Sequence, residues 1–431
     1  MIQLYTINPF DLYKKIDYQL VDCYDYDFNK QKLNTVEITY TSLRPIRMLP
    51  GIGVFGTGKV IEIIVPFLRD KGFKVEALWG RTMNEAEEAA KRLQIPFWTN
   101  KIDNVLLRKD VDLIFIVCSP NLHAQIAVKA LGIGKHVLCD KPAGLCQSEA
   151  IKMVHAAQYY PSLISVVNHS LRFLPAFVQM KKQIVENKIG NVFLCDVKVQ
   201  MGRLYGDNFN WLCDKTMGGG VLTLVGSHVI DLVTYLTDQK AIRVHGIVKT
   251  FNKDFKCSTG VRQVTSPDFC TFQMEMADRS LVTVTLNNHL AGTYVQEVLM
   301  CGTEGNLIVK GGDLFKDKDE VLYLDVEDLQ KSDAINVVSA DIMPRPCMKG
   351  LLKMISALRE AFLPVEDKRG WVKEPVSSAA TFEDSLYVQA VIDAIRSSSR
   401  NKEWVKVEVI TEEPDPNPLL SAAVRKSGMS M

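Results

Sequence analysis

The apolar run Gly51-Ile52-Gly53-Val54-Phe55 passes directly into Gly56-Thr57-Gly58 and then into the helical pattern of 60–72. Few folds accept that succession. A buried strand that turns on glycine into a helix is the setting of a dinucleotide site: the first glycine makes the turn, and the second lets a pyrophosphate approach the backbone. The helix start adds unpaired N–H groups and the positive end of its dipole. Ile61 fills the third small position, so the glycine motif is incomplete and the strand–turn–helix setting carries the reading.

Strands and helices keep alternating after this point. "KVEALWG", "VDLIFIVC", "HVLCD" and "SLISVVN" read as strands, with "NEAEEAAKRLQ", "NLHAQIAVKALGIG" and "SEAIKMVHAAQYY" as the helices between them. Strands that are apolar throughout suit a parallel sheet covered on both faces. From about Asn191 the pattern changes to alternating strands separated by turns, and "TFEDSLYVQAVIDAIRSSSR" is a long amphipathic helix near the end. The expected fold class is α/β: an N-terminal Rossmann doubly wound parallel sheet plus a C-terminal α+β domain with an open, mostly antiparallel sheet. The expected division has four parts. Residues 1–47 are an extension, disordered or a start-site artefact, and 48–168 form the dinucleotide-binding domain. Residues 169–410 form a substrate and oligomerisation domain whose helix at about 381–400 can pack back on the Rossmann domain, and 411–431 are a disordered tail.

Two domains suit 431 residues, and 47% hydrophobic with 23% charged residues is an ordinary globular balance. A net charge of +1 offers no basic face for nucleic acid or an anionic membrane, so neither partner is expected. The apolar runs fall short of the ~20 residues of a membrane span, and the first residues lack the apolar core of a signal peptide. The physical reading is cytoplasmic. The ten cysteines lie singly, without the spacing of a zinc knuckle or a redox dithiol, which predicts buried reduced thiols and no metal site.

Cofactor choice rests on the second strand. An NAD-preferring site places an acidic residue there for the ribose 2′-hydroxyl. Here the strand ends in Gly80-Arg81-Thr82. A guanidinium suits a 2′-phosphate, which predicts NADP(H) over NAD(H).

Further along, "CSPNLHAQIAVKALGIGKHVLCDKPAG", "NHSLRFLPAFVQMKKQI" and "GGGVLTLVGSHVIDLVTYL" resemble the glucose–fructose oxidoreductase, inositol dehydrogenase and MocA family. Within it the chain looks most like the animal glucose–fructose oxidoreductase domain-containing proteins, over nearly everything from Met48 to about Ile410. The resemblance implies hydride transfer between a nicotinamide and a sugar or cyclic polyol, the cofactor doing the redox step. It assigns cofactor contact to Gly56, Thr57, Gly58, Gly80, Arg81, Ser119, Pro120, Asn121, His123, Asp140 and Lys141. Lys141 matches the lysine of an E-K-P motif whose ammonium stabilises charge on the reacting oxygen, with Asp140 in place of the usual glutamate. Asn168, Arg172, Trp211 and His228 are expected to line the substrate cleft, and Lys141 with His228 to be catalytic.

One departure matters. The family's G-G-G-x-L-x-D-x-G-x-H element matches at Gly218, Gly219, Gly220, Leu222, Gly226 and His228, but its aspartate position holds Leu224. On a regular helix residues four apart share a face, and leucine can neither polarise an alkoxide nor orient an imidazole. Asp231, one turn beyond His228, matches a separate aspartate of structural character. Two functions follow. One is an oxidoreductase for a sugar-like alcohol or carbonyl, weak for want of the aspartate. The other is a catalytically silent dinucleotide-binding scaffold, with an extracellular-matrix role if it follows the animal relatives, which are described as secreted. The uncovered face of the second sheet predicts an apolar surface and a homodimer or homotetramer.

Overall fold

The computed structural model describes residues 49–205, 208–257, 260–290, 294–317, 320–325, 343–363 and 376–413. The expected extension at 1–47, and 414–431 of the expected tail, lie outside the described residues.

The N-terminal half runs β1 (Gly51–Phe55), α1 (Ile61–Asp70), β2 (Lys74–Trp79), α2 (Met83–Leu93), β3 (Trp98–Thr99), α3 (Ile102–Leu106), β4 (Leu113–Ile116), α4 (His123–Gly132), β5 (His136–Cys139), α5 (Gln147–Tyr159) and β6 (Ser165–Val167). Its six strands are all parallel, in the order β3-β2-β1-β4-β5-β6. The chain starts in the middle and winds outward in both directions. Connections from β1 and β4 therefore diverge at their carboxyl ends, the crevice where ligands bind in such sheets. β1 and β4 are buried at every position, because helices cover both faces of the sheet. The two-residue β3 escapes sequence reading, since no period can be seen in so short a run.

The C-terminal half runs α6 (Pro175–Val185), β7 (Val192–Gln200), α7 (Ser227–Thr237), β8 (Ala241–Lys249), β9 (Asp254–Cys257), β10 (Gly260–Gln263), β11 (Phe269–Met276), β12 (Leu281–Asn287), β13 (Val295–Gly302), β14 (Gly305–Lys310), β15 (Asp313–Lys316), β16 (Glu320–Tyr323), α8 (Arg345–Phe362), α9 (Phe382–Asn401) and β17 (Val405–Lys406). Nine of these strands form one sheet, β16-β15-β14-β13-β7-β12-β11-β8-β17, while β9 and β10 make a separate hairpin. Within the large sheet only β7 and β12 pair in parallel. One face is packed: Val197, Val284, Phe272 and Val298 share a core with Ile230 and Val233 of α7 and Val391 and Ile395 of α9.

α9 joins the two halves. Thr381 and Asp384 close a capping box at its start, which fixes where the helix begins. Phe382 and Leu386 enter the core under the parallel sheet, whereas Tyr387, Val388 and Ile392 enter the core of the large sheet. α8 is a finding the sequence reading passed over. Its Met348, Leu351, Ile355 and Leu358 pack with Ile52 and Ile64 against the parallel sheet.

Two expectations need correction. The stretch Lys215–Thr237 has a mean hydropathy of 1.4 and the length of a membrane span, more than the sequence reading allowed, but 78% of its window is buried inside the protein. Its apolarity is that of a core helix. The uncovered face of the large sheet is also less apolar than expected. Leu194, Leu281, Leu299 and Ile308 alternate there with Asp196, Lys198, Thr283, Thr285 and Glu297, all at least partly exposed.

Candidate active site

The site is assembled at the carboxyl ends of the parallel strands. Gly56 has φ +140°, and a Cβ there would lie 2.8 Å from the carbonyl oxygen of Val117, so the turn admits only glycine. At Gly58 an added Cβ would meet nothing within 4 Å. No acceptor among the described residues takes the N–H groups of Gly58, Lys59 or Val60. An open approach beside free amides at a helix start fits a pyrophosphate. Gly80 is required for a different reason: a Cβ would lie 2.8 Å from Thr57 Cγ2 and 2.9 Å from Ala86 Cβ. It lets the start of α2 pack against the glycine turn.

Arg81 is exposed beside that turn and donates from Nη2 to Glu85 Oε1 at 2.9 Å. Glu85 also accepts the N–H of Thr82, closing the capping box of α2. Slight burial works against the Glu85 charge, but Arg81 and Thr82 hold its carboxyl below the ordinary range. The carboxylate absent from the end of β2 thus reappears four residues later as a partner of Arg81.

Ser119 is half-buried and Pro120 buried at the turn after β4, while Asn121 is exposed. His123 is placed otherwise than expected. It is 1% exposed, with Nδ1 2.8 Å from the Pro142 carbonyl and Nε2 2.9 Å from the Cys118 carbonyl. Its imidazole ties two loops together beneath the cleft. Burial pushes the neighbouring Cys118 thiol up to about 12, so it is no nucleophile.

After β5, Asp140 accepts from Asn168 Nδ2 at 3.1 Å, and the peptide from Lys141 to Pro142 is cis. Asn168 therefore reaches the loop of Asp140, and its own Oδ1 is buried without a partner. Lys141 Nζ donates to the backbone carbonyl of Leu224 at 2.6 Å. Burial lowers the lysine pKa, partly offset by Asp140.

The segment bearing Leu224 is not a regular helix. Leu222–Gly226 is a π-turn that continues into α7. Its hydrogen bonds are spaced five apart, so the turn that carries Leu224 is wider than an α-turn and leads directly into the α7 turn that carries His228. Leu224 is 8% exposed, and its carbonyl rather than its side chain meets Lys141. His228 is half-buried as a residue, with a buried Nδ1 that has no partner among the described residues. Burial, then the Lys141 charge and His169, drive its pKa well below the ordinary value, so it is a neutral imidazole at physiological pH.

Arg172, expected to touch substrate, is otherwise engaged. Its Nε and Nη2 donate to the two oxygens of Asp231 at 2.8 and 2.6 Å, and Nη2 lies 3.2 Å from Asp384. Burial opposes the charge, yet the two carboxylates hold its pKa above the ordinary value. Asp231, 1% exposed, is its counter-ion and the structural residue expected. Trp211 is half-buried in a 3₁₀ turn before the glycine triplet. Three residues near the site went unread. Cys347 of α8 lies close enough to Lys141 to influence it, Tyr294 is 3.9 Å from the Cys347 thiol, and His169 packs on His228. Only α8 left a readable trace, the spacing of Met348, Leu351, Ile355 and Leu358.

The chain is similar to known proteins in family and in fold. The profile described as an oxidoreductase family with an NAD-binding Rossmann fold matches residues 51–168, and a GFO/IDH/MocA C-terminal domain profile matches 177–308. Glucose-fructose oxidoreductase domain-containing protein 1 of Xenopus tropicalis is 48% identical over 391 residues, 89% of this chain and 100% of that protein. Protein 2 of the same name in Homo sapiens is 45% identical over 390 residues, again 89% and 100%. The solved structure of levoglucosan dehydrogenase in complex with NADH and L-sorbose shares the fold, with TM-score 0.69 at 20% identity over 84% of this chain and 100% of that one.

Proposed function

This chain belongs to the GFO/IDH/MocA oxidoreductase family, and we propose that within it the protein is an NADP(H)-preferring oxidoreductase for a sugar-like alcohol or its carbonyl. Family and fold make it an NAD-binding oxidoreductase; substrate class and cofactor preference are our reading. One observation carries it: Lys141 Nζ, in the loop after β5, reaches the Leu224 carbonyl at 2.6 Å, which brings its ammonium to the segment that leads into His228, a neutral imidazole.

The glycine turn and the start of α1 would hold the pyrophosphate, and Arg81 a 2′-phosphate. A nicotinamide, when bound, supplies or accepts the hydride. Lys141 stabilises negative charge on the substrate oxygen, and His228, being neutral, takes the hydroxyl proton or returns it as imidazolium. Purified protein is tested for binding of NADPH and NADH, then for nucleotide oxidation with a panel of ketoses and aldoses. Tighter NADPH binding with turnover on a polyol-like carbonyl is expected. Binding of neither nucleotide would defeat the reading.

A second reading has its own support. The Lys141 ammonium is already taken by the Leu224 carbonyl at 2.6 Å, which favours a nucleotide-binding protein that does not turn over. Binding without reaction on any carbonyl is its signature. In either case a homodimer or homotetramer through the uncovered sheet face is our reading of the quaternary state.

A further inference from the structure

We propose that His169 is the positioning partner of His228, filling from the opposite side the part that an acidic side chain at position 224 would take. The proposal rests on the reading of His228 as a proton-transfer group and names what orients it. The two imidazoles meet edge to face, with centroids 5.3 Å apart and planes at 88°. Behind them, His169 Nδ1 lies 3.9 Å from Asp231 Oδ2. Asp231 is fixed by two hydrogen bonds from Arg172, which also reaches Asp384 in the first turn of α9. A continuous buried line, Arg172–Asp231–His169–His228, thus runs from α9 to the cleft.

Among the described residues, no other carboxylate of the site is offered to His228. Leu224 turns its carbonyl to Lys141, and Asp231 spends both oxygens on Arg172 with His169 standing between it and His228. Among the described residues neither histidine's buried Nδ1 has a hydrogen-bond partner, so neither ring is diverted into another such bond there. The charged groups around His169 are Asp231, Arg172, Lys141 and Asp384. Two imidazoles this close do not both take a proton readily, so the protonation of one governs the other. Ring packing sets the plane of His228, and the carboxylate behind His169 biases which ring is charged.

The full chain holds seven histidines, few enough for ¹⁵N-imidazole labelling and assignment. Nitrogen shifts of His169 and His228 are followed against pH, with and without NADPH. In the unaltered protein the two rings are expected to titrate as a coupled pair. Where acid unfolding comes first, the tautomer ratio of His228 is read instead. His169→Phe keeps an aromatic ring but removes the nitrogens, and His169→Gln serves if that variant does not fold. Either should change the His228 tautomer or raise its midpoint by about half a unit or more. NADPH affinity should stay within about twofold, and turnover, where present, should fall about tenfold or more in kcat with little change in KM. His228 shifts that do not respond to His169 overturn the proposal. Coupled histidines in a protein that reduces no carbonyl would uphold the pairing and count against the proposed activity.

Discussion

Arg81, just before α2, and Glu85 in its first turn form an ion pair at 2.9 Å, and the same Glu85 carboxylate closes the helix's capping box with Thr82. The guanidinium expected to read a 2′-phosphate therefore already has a carboxylate partner, in an exposed pair that solvent screens. Glu85→Gln preserves the capping box, because glutamine serves at that position, while releasing Arg81. NADP(H) affinity should rise with stability nearly unchanged. Arg81→Ala should weaken NADP(H) selectively, by about 1.5–3 kcal/mol if a charged hydrogen bond is lost. Equal losses for NADP(H) and NAD(H), measured by fluorescence titration, would show that Arg81 does not discriminate between them.

Arg172 and Asp231 make a different kind of pair. Both are buried, and their contact is bidentate. Removing one partner of such a pair leaves an uncompensated charge, which costs about 3–5 kcal/mol. Arg172→Met should lower the midpoint of urea unfolding accordingly, and adding Asp231→Leu should recover much of the loss. Unchanged stability with a raised KM would instead make Arg172 a substrate ligand, as the sequence first suggested.

How much was legible divides along one line. Sequence reading found the strands β1, β2, β4, β5 and β6 and the glycine turn, because each is local: an apolar run, a glycine with a fixed job. The partners of Arg172, His123 and Leu224 were not legible for the opposite reason. What those residues do is decided by groups distant in sequence: Asp384 for Arg172, Pro142 for His123, Lys141 for the Leu224 carbonyl. The π-turn at Leu222–Gly226 was itself not legible, since spacing arguments assume a regular helix. His169 carried no signal at all, being a histidine between two apolar stretches.

Acid should destabilise the fold early. His136, His169 and His228 all have folded-state pKa values lowered from 6.5, with burial the largest cause in each. His136 Nδ1 also accepts the N–H of Ile164 at 2.9 Å, a bond that the protonated ring cannot make. The unfolded chain therefore takes up protons first as pH falls below about 6.5. Stability is fully present above that pH and is lost as pH falls toward the folded values. Melting temperatures between pH 7.5 and 5 should fall, and His136→Phe should flatten part of the slope. A flat profile across that window would show that these rings are not neutral in the fold.

The uncovered sheet face offers a mixed surface, with Leu194, Leu281, Leu299 and Ile308 set among threonines and charges. Pairing such faces about a two-fold axis would bury the leucines while opposite charges meet. Light scattering at micromolar concentration should give a dimer or tetramer. Leu299→Lys, placed at the middle of β13, should shift the protein toward monomer without altering its melting in dilute solution by more than the loss of assembly explains. A wild-type monomer removes the proposal.

The sharpest test concerns Lys141 and Leu224. The lysine is held by a backbone dipole where the family's charged aspartate would lie, so its ammonium is less stabilised than in a full ion pair, and burial lowers its pKa further. Lys141→Met should remove hydride transfer by about 10²–10⁴-fold, with nucleotide binding reduced far less. Leu224→Asp is less simple than the motif suggests. Position 224 lies in a π-turn with its side chain 8% exposed, so an aspartate there is buried unless it reaches Lys141. A stable Leu224→Asp protein with a faster reaction and a raised Lys141 pKa would mean that the carboxylate has found the ammonium. A loss of several kcal/mol with no gain in rate would mean that it stays buried and unpaired. In that case the buried setting of position 224 within the π-turn, and not the identity of the side chain alone, keeps a carboxylate there from serving the site.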